Sequence, residues 1–368
     1  MKFLHTADWQ IGMKADFVGS AAQRVRDERL AAGTRVVEVA NRSKAQFILA
    51  TGDLFENNAV DRTLVRRVID ILSGFQGQVF LTPGNHDPLA PGSVWDHPSW
   101  KTHPNLVVLK EPEPVEIPDG LLFPCPIRDK YARKDPTAWI GGDGHDLIRL
   151  GMAHGNVEGL PQPEPELPIP RNAALWADLD YLALGHWHST STYPDSSGIV
   201  RMAYCGTPET SRFGERDSGN ALMVEIPGPK AAPQVQVVST GRLQWLILDR
   251  EALAPGDLKR IRMEVENLGD PQLTLLDLRL KGLLDSQETE ELSRLAHLTE
   301  SHFLYARLDA SALIPSPEDH RWIESLPSGI LREAAGRLRD LSIGNNPEAQ
   351  TASQALILLY TLSGEVTP

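Results

Sequence analysis

Cysteine is scarce in this sequence: 368 residues hold only Cys125 and Cys205. Two thiols so far apart give neither a disulfide framework nor a Cys-x-x-Cys motif. The expectation is two buried free thiols in a reducing compartment. Long apolar runs are missing as well. None approaches the ~18 residues of a membrane span, and the opening MKFLHTADWQ lacks the apolar stretch of a signal peptide. The expected location is therefore the cytoplasm, without membrane contact. Net positive charge is also absent. Lys and Arg total 36 against 49 Asp and Glu, a formal −13, and a mean field of that sign repels nucleic acid and anionic membranes. Hydrophobic residues at 41% and charged residues at 23% exclude disorder, collagen and coiled coil as whole-chain descriptions.

What remains is a globular chain long enough for about two domains. Strands are expected at Lys2–Thr6, Phe47–Thr51 and Val79–Thr82, with helices at Ser20–Arg42 and Asp61–Leu72, the latter capped by Asp61. This β-α-β-α-β order predicts parallel strands with crossover helices. Strand-like runs then follow with few helices between them: Leu106–Leu109, Val115–Ile117, Leu121–Phe123, Leu147–Ala153, Tyr181–Leu184, Ile199–Ala203, Asn220–Ile226, Gln234–Ser239 and Leu243–Leu248. They predict a second, antiparallel or mixed sheet. Pro161–Pro170 reads as a proline-rich loop. Further on, Leu273–Leu280 and His302–Leu308 read as strands around a helix at Ser286–Leu298. Helices are expected at Pro317–Glu324, Ser328–Leu341 and Pro347–Leu362. The organisation expected is a first domain over 1–250, a smaller α/β domain over 251–315, and C-terminal helices over 316–368.

Five short motifs fall just past the C-terminal ends of expected strands. They are Asp8-Trp9-Gln10, Gly52-Asp53, Gly84-Asn85-His86-Asp87, His154-Gly155 and Gly185-His186-Trp187-His188. In α/β sheets that edge is where ligands bind. Each motif alone has a plain reading: Gly-Asp is a common turn, and a lone histidine is more often a satisfied polar group than a ligand. Together they offer carboxylate, amide oxygen and imidazole, with no thiolate. That donor set suits Mn²⁺, Fe or Zn²⁺. Two divalent ions ~3.5–4 Å apart can clamp an in-line displacement and lower the pKa of a bound water. The chemistry to expect is a two-metal phosphoesterase, and no Gly-x-Ser-x-Gly or P-loop pattern competes with it.

The five motifs resemble the signature of the calcineurin-like metallophosphoesterases: D-x-H, G-D, G-N-H-[DE], a lone H, then G-H-x-H. Within that superfamily the stretches FLHTADWQIG, ATGDLFE, TPGNHDPLAPGSVW, LGMAHG, YLALGHWH and YCGTPETSRFGERDSG are similar to the SbcD-type nuclease subunits of SbcC–SbcD DNA-repair complexes. The resemblance implies an α/β (α+β) fold, a two-sheet sandwich flanked by helices with a small α/β cap domain. It implies two divalent ions, Mn²⁺ first, with Fe, Zn²⁺ or Mg²⁺ as alternatives. Asp8, Asp53 and His188 would hold one ion. Asp53 would bridge to the second, completed by Asn85, His154 and His186. His86 would act as general acid toward the leaving oxygen, oriented and charged by Asp87, with hydroxide held by the metals as nucleophile. The implied partners are DNA, an SbcC-like ATPase bound partly by the C-terminal helices, and a second copy of the chain.

Position 10 departs from the signature, since Gln10 stands where His is usual. Three readings stay open: Gln10 binds metal through its amide oxygen, binds through a water, or marks a decayed site on a scaffold subunit. Trp9 and Trp187 flank candidate ligands and read as packing. Arg212 is a candidate for substrate contact. Basic residues at Arg24, Arg26 and Arg29, at Arg62, Arg66 and Arg67, and at Arg128, Lys130, Arg133 and Lys134 offer either a local groove or solvated faces. The acidic charge fits an alternative substrate class, small nucleotides or phosphate monoesters. Two bound divalent ions would nevertheless reverse the sign inside the cleft.

Overall fold

In the first half of the chain, apolar runs stop at Ala7-Asp8, Gly52-Asp53 and Pro83-Gly84, residues that favour turns over continued extension. The strands therefore end together, and their loops gather at one edge. The structure, a computed structural model, describes residues 1–142, 146–159, 166–315, 320–343 and 347–365. They form two compact units, Met1–Gln244 and a second beginning at Trp245.

The first unit opens with β1 (Lys2–Thr6), α1 (Ala22–Arg42), β2 (Phe47–Thr51), α2 (Arg62–Ser73), β3 (Gln78–Thr82), β4 (Leu106–Val108), β5 (Val115–Ile117) and β6 (Gly120–Pro124). It continues through β7 (Ile148–His154), β8 (Asn156–Val157), β9 (Pro168–Ile169), α3 (Ala173–Trp176), β10 (Tyr181–Gly185), β11 (Ser191–Pro194), β12 (Val200–Tyr204), β13 (Asn220–Glu225) and β14 (Gln234–Ser239). Among the described residues twelve of these strands build two six-stranded sheets, ordered β14-β13-β1-β2-β3-β4 and β11-β12-β10-β7-β6-β5, and β8 pairs with β9. In the first sheet β1 to β4 are parallel, and β13 and β14 return antiparallel beside β1. In the second, β6, β7, β10 and β12 are parallel, with β5 and β11 antiparallel at the edges.

The expected second sheet is thus mixed, but three runs assigned to it, at Leu106, Asn220 and Gln234, belong to the first, and a fourth, at Leu243, belongs to the three-stranded sheet of the second unit. Hydrophobicity shows that a strand is buried, not which neighbour it pairs with. In β13, Ala221 and Met223 join the cluster on one face of the sheet and Leu222 and Val224 the cluster on the other. The short edge strand β11 was not expected, because its alternate residues are exposed and polar.

The first sheet is sandwiched. Val65, Val68, Ile69 and Leu72 of α2 form one apolar stripe against Ile48, Ala50, Val79 and Leu81. Asp61 caps that helix by accepting from the Thr63 N–H at 2.6 Å. On the opposite face Phe3, Phe47, Leu49 and Phe80 meet Leu150, Met152, Tyr181 and Ala183 of the second sheet. Phe3 stacks on Phe47 at 5.1 Å and meets the Tyr181 ring edge-on at 5.8 Å. Cys125 and Cys205 are both buried and free, and burial pushes the Cys125 thiol up to about 12.

The second unit runs β15 (Gln244–Ala252), α4 (Asp257–Glu266), β16 (Thr274–Leu284), α5 (Thr289–His302), β17 (Tyr305–Pro315), α6 (Trp322–Ser325), α7 (Ile330–Leu341) and α8 (Pro347–Glu365). Its sheet is ordered β15-β16-β17, and Leu258, Ile261, Val265 and Leu295 of α4 and α5 cover Leu276, Leu278 and Leu280. Helix α4 was not expected, since only three of its four apolar residues, Leu258, Ile261 and Val265, are buried among six charged ones in DLKRIRMEVE, a thin stripe. His302 closes α5 rather than opening a strand. Parts of two expected features, the loop at 161–165 and the helix start at 317–319, lie outside the described residues. Among the described residues no helix is long and apolar enough to cross a membrane.

Phe47 touches aromatic rings on both neighbouring strands, Phe3 and Phe80. Phe47→Ala should cost about 3–5 kcal/mol by transfer and cavity loss, measured as a lowered urea midpoint with near-UV circular dichroism reporting the first unit.

Candidate metal centre

Asp8 follows β1, Asp53 follows β2, Asn85 and His86 follow β3, His154 ends β7, and His186 follows β10. The turns that carry them are bent into the left-handed region at non-glycine residues: Asp8 at φ +55°, Gln10 at +43°, Asp53 at +52° and His186 at +106°. Such backbone persists only where surrounding contacts hold it, and it concentrates at functional sites. Two glycines let the loops close. A Cβ on Gly52 would strike the His154 ring, and one on Gly84 would strike the Asp53 carboxylate. Gly52 also sits at φ +82°, where an L side chain is strained.

The resulting cluster is tight. Ligand atoms of Asp53, His154 and His186 lie within 4.8 Å of one another. Asn85 Oδ1 is 2.8 Å from His154 Nε2 and 2.8 Å from His186 Nδ1. His154 Nδ1 is 2.9 Å from the Thr51 carbonyl, so that nitrogen donates and Nε2 is left facing Asn85 and, at 3.2 Å, Asp53. Asp8 accepts the His186 backbone N–H with both oxygens, each at 3.0 Å.

Electrostatics follow from burial. Burial alone would raise Asp53, but the charge and hydrogen bond of His154 and the nearby His86 outweigh it and take it down to about 2. Burial would lower His154, yet Asp53 and then Asp8 lift it to about 9. Burial, followed by His154's charge, drives His186 down to about 3. Burial lifts Asp8 to about 6. In the metal-free chain His154 is therefore a cation held among acids, and a divalent ion entering here displaces its proton. Two imidazole nitrogens, a carboxylate and an amide oxygen converge with no thiolate, a donor set that fits a first-row divalent metal.

Of the expected site residues, Asp53, Asn85, His154 and His186 are brought into direct contact. Gln10 and His188 line a cavity of about 750 Å³ together with His86, His186, Glu56 and Glu215. Asp87 does not stand where it was expected. Its carboxylate accepts the Gly84 and Phe55 N–H groups at 2.7 and 3.0 Å, and burial, then repulsion from Asp53, pushes it up to about 7. It is a fully buried clasp for the loop. The partner of His86 is Glu56: His86 Nδ1 is 3.0 Å from the Glu56 carbonyl and 4.0 Å from its carboxylate. A side chain following His86 in sequence cannot face it while its oxygens hold two backbone N–H groups behind the loop.

Nothing in the spacing of Glu215 marks it in the sequence. Its carboxylate is 2.7 Å from His188 Nδ1 and 3.4 Å from Arg212 Nε. Burial would raise Glu215, but the His188 hydrogen bond and charge bring it down to about 2. Such a carboxylate fixes the ring and leaves Nε2 for a metal. Arg212 itself lines the cavity, its side chain 70% exposed. Arg29 is no part of a surface groove: it is buried and donates to the Trp9 carbonyl at 2.5 Å, behind the Gln10 turn.

Residues 1–205 match the calcineurin-like phosphoesterases, and the chain belongs to that family, whose members are metal-dependent hydrolases of phosphoester bonds. Two curated proteins of Bacillus subtilis (strain 168) are similar to it. The uncharacterized metallophosphoesterase YhaO is 23% identical over 240 residues, 61% of this chain, which spans 57% of that protein. The SbcD component of the nuclease SbcCD is 25% identical over 353 residues, 80% of this chain and 82% of that protein. Among solved structures, TT1561 of Thermus thermophilus matches with TM-score 0.42 and 12% identity, over 65% of this chain and 98% of that one.

Removing the carboxylate charge behind His188 should weaken metal binding at the Gln10–His188 side. For Glu215→Gln we expect a ~10–100-fold loss in Mn²⁺ affinity by titration calorimetry, with the circular dichroism spectrum unchanged.

Proposed function

We propose that this chain hydrolyses phosphodiester bonds in DNA with two divalent ions, most simply Mn²⁺, as the nuclease subunit of an SbcCD-like complex in the cytoplasm. One observation carries the phosphoesterase part: the convergence of Asp53, Asn85, His154 and His186 on one point beside an open cavity. The DNA part is supported by likeness to a curated nuclease component over 80% of the chain. The SbcC-like ATPase, with the C-terminal helices as its docking segment, and a dimer of the chain belong to the same proposal. So does the division into a nuclease domain, a cap and partner-binding helices.

In this reading Asp53, Asn85, His154 and His186 would hold one ion, and Asp8, Gln10 and His188, with Asp53 shared, the other. When bound, the ions would polarise the phosphate and lower the pKa of a water. His86 lies on the cavity, 30% exposed, and would give its proton to the leaving oxygen. Glu56 would set the ring's orientation through Nδ1, leaving Nε2 toward substrate. Asp87 would keep the loop carrying Asn85 and His86 closed on Asp53.

Purified chain with Mn²⁺ should degrade linear DNA. His86→Ala should slow turnover by about 10²–10⁴, and Asn85→Ala should abolish it at limiting metal. Equal activity in wild type and both variants would sink the nuclease reading.

Gln10 favours a second reading, a scaffold subunit with a weak metal. An amide oxygen is a poorer donor than imidazole to Mn²⁺, Fe or Zn²⁺. Gln10→His separates the two: a nuclease should gain several-fold at limiting Mn²⁺, whereas a scaffold gains nothing in the same titration.

A further inference from the structure

We propose that Phe17 and Phe213, on the cavity that holds the candidate metal ligands, stack on the nucleobase beside the scissile phosphate, so that the site takes an unpaired nucleotide rather than closed duplex. The proposal rests on the phosphodiesterase reading above and adds the conformation of the substrate.

Phe17 lies in the short 3₁₀ segment Asp16–Ala21. Its neighbours Ala15 and Val18 are buried, at 3% and 0% exposure, while Phe17 stands 55% exposed. The segment is pinned from within and turns its phenyl ring outward, giving up the burial that most large apolar side chains obtain here. Phe213 is carried by a second pinned loop. Glu215 accepts the Ser211 N–H and hydroxyl, each at 2.7 Å, and Gly214 at φ +85° reverses the chain immediately after Phe213. Both rings line the same cavity of about 750 Å³ as His86, His186 and His188.

Charge decides what those rings are for. Nucleic-acid grip usually comes from Lys and Arg neutralising phosphates. Among the described residues the cavity lining includes Arg212 but no lysine, against Glu56 and Glu215, and Arg212 is already paired with Glu215. Phosphate attraction away from the metals is therefore weak, and the chain as a whole carries −13. Stacking on aromatic rings needs no positive charge and accepts any base. It does need an exposed π-face, which a base inside a duplex has already spent on its neighbours.

The test uses the full chain with Mn²⁺ and compares dAMP with 2-deoxyribose 5-phosphate by titration calorimetry. Both offer the same phosphate, and only dAMP offers a base. Wild type should bind dAMP about tenfold more tightly, the scale of one stacked base. The Phe17→Ala/Phe213→Ala double variant should bring the ratio close to one, and Phe17→Trp should keep it. Equal binding of the two ligands by wild type, or a preference that survives in the double variant, overturns the proposal. A preference for dAMP in a chain that cleaves no DNA would leave the base slot standing and remove only the DNA reading. DNA cleavage without the preference would remove the slot alone.

Discussion

The site depends on how closely three loops approach one another at the strand ends. His154 lies where a side chain on residue 52 would be, and Asp53 where one on residue 84 would be. The backbones of these loops, rather than their side chains, set the separation of the metal-ligating atoms. That separation shapes the charge arrangement: at 3.2 Å the carboxylate of Asp53, with Asp8, outweighs burial and holds the proton on His154. The positively charged imidazole occupies electrostatically the place a divalent ion would take. The same crowding accounts for the left-handed backbone at Asp8, Asp53 and His186, whose loops turn within two residues of the strand end.

Around this centre each polar group has a dedicated anchor. Thr51 orients the ring of His154, Glu215 fixes the tautomer of His188, and Glu56 orients the ring of His86. Asp87 ties its own loop to Phe55 and Gly84. The buried carboxylates here all accept backbone N–H groups, Asp8 from His186, Asp53 from His86 and Asp87 from Phe55 and Gly84, but only Asp8 and Asp53 are also candidate ligands. Asp87 does not face the ligand cluster, and burial, then the charge of Asp53, outweighs its two N–H bonds and the charge of His154, so it titrates upward.

Much of the fold was legible because its signals are local. Apolar runs bounded by Gly, Asp and Pro located β1, β2 and β3 to within a residue, and Asp61 announced α2. The candidate ligands were legible because they follow those strand ends directly. Strand partnership was not, since β13 returns to β1 across the whole of the second sheet and no local pattern encodes that. Nor were the anchors. Glu215 reaches His188 across 27 residues, and Glu56 reaches His86 across 30. Asp87 misled for the converse reason: the resemblance implied a pairing with His86, whereas its oxygens hold the Phe55 and Gly84 N–H groups.

The return of β13 and β14 has a consequence for how the chain matures. β1 carries Asp8 at its end, but in the finished sheet it is flanked by β2 on one side and β13 on the other, with Phe3 opposite Val224. During synthesis β1 emerges well before β13 and waits, one edge bare, until nearly the whole first unit has left the ribosome. Non-local pairing of this kind is slow, and an unpaired apolar strand is a template for wrong partners. Assembly of the catalytic edge is thus a late event, with closure of the sheet by β13 as the step that commits the nascent chain.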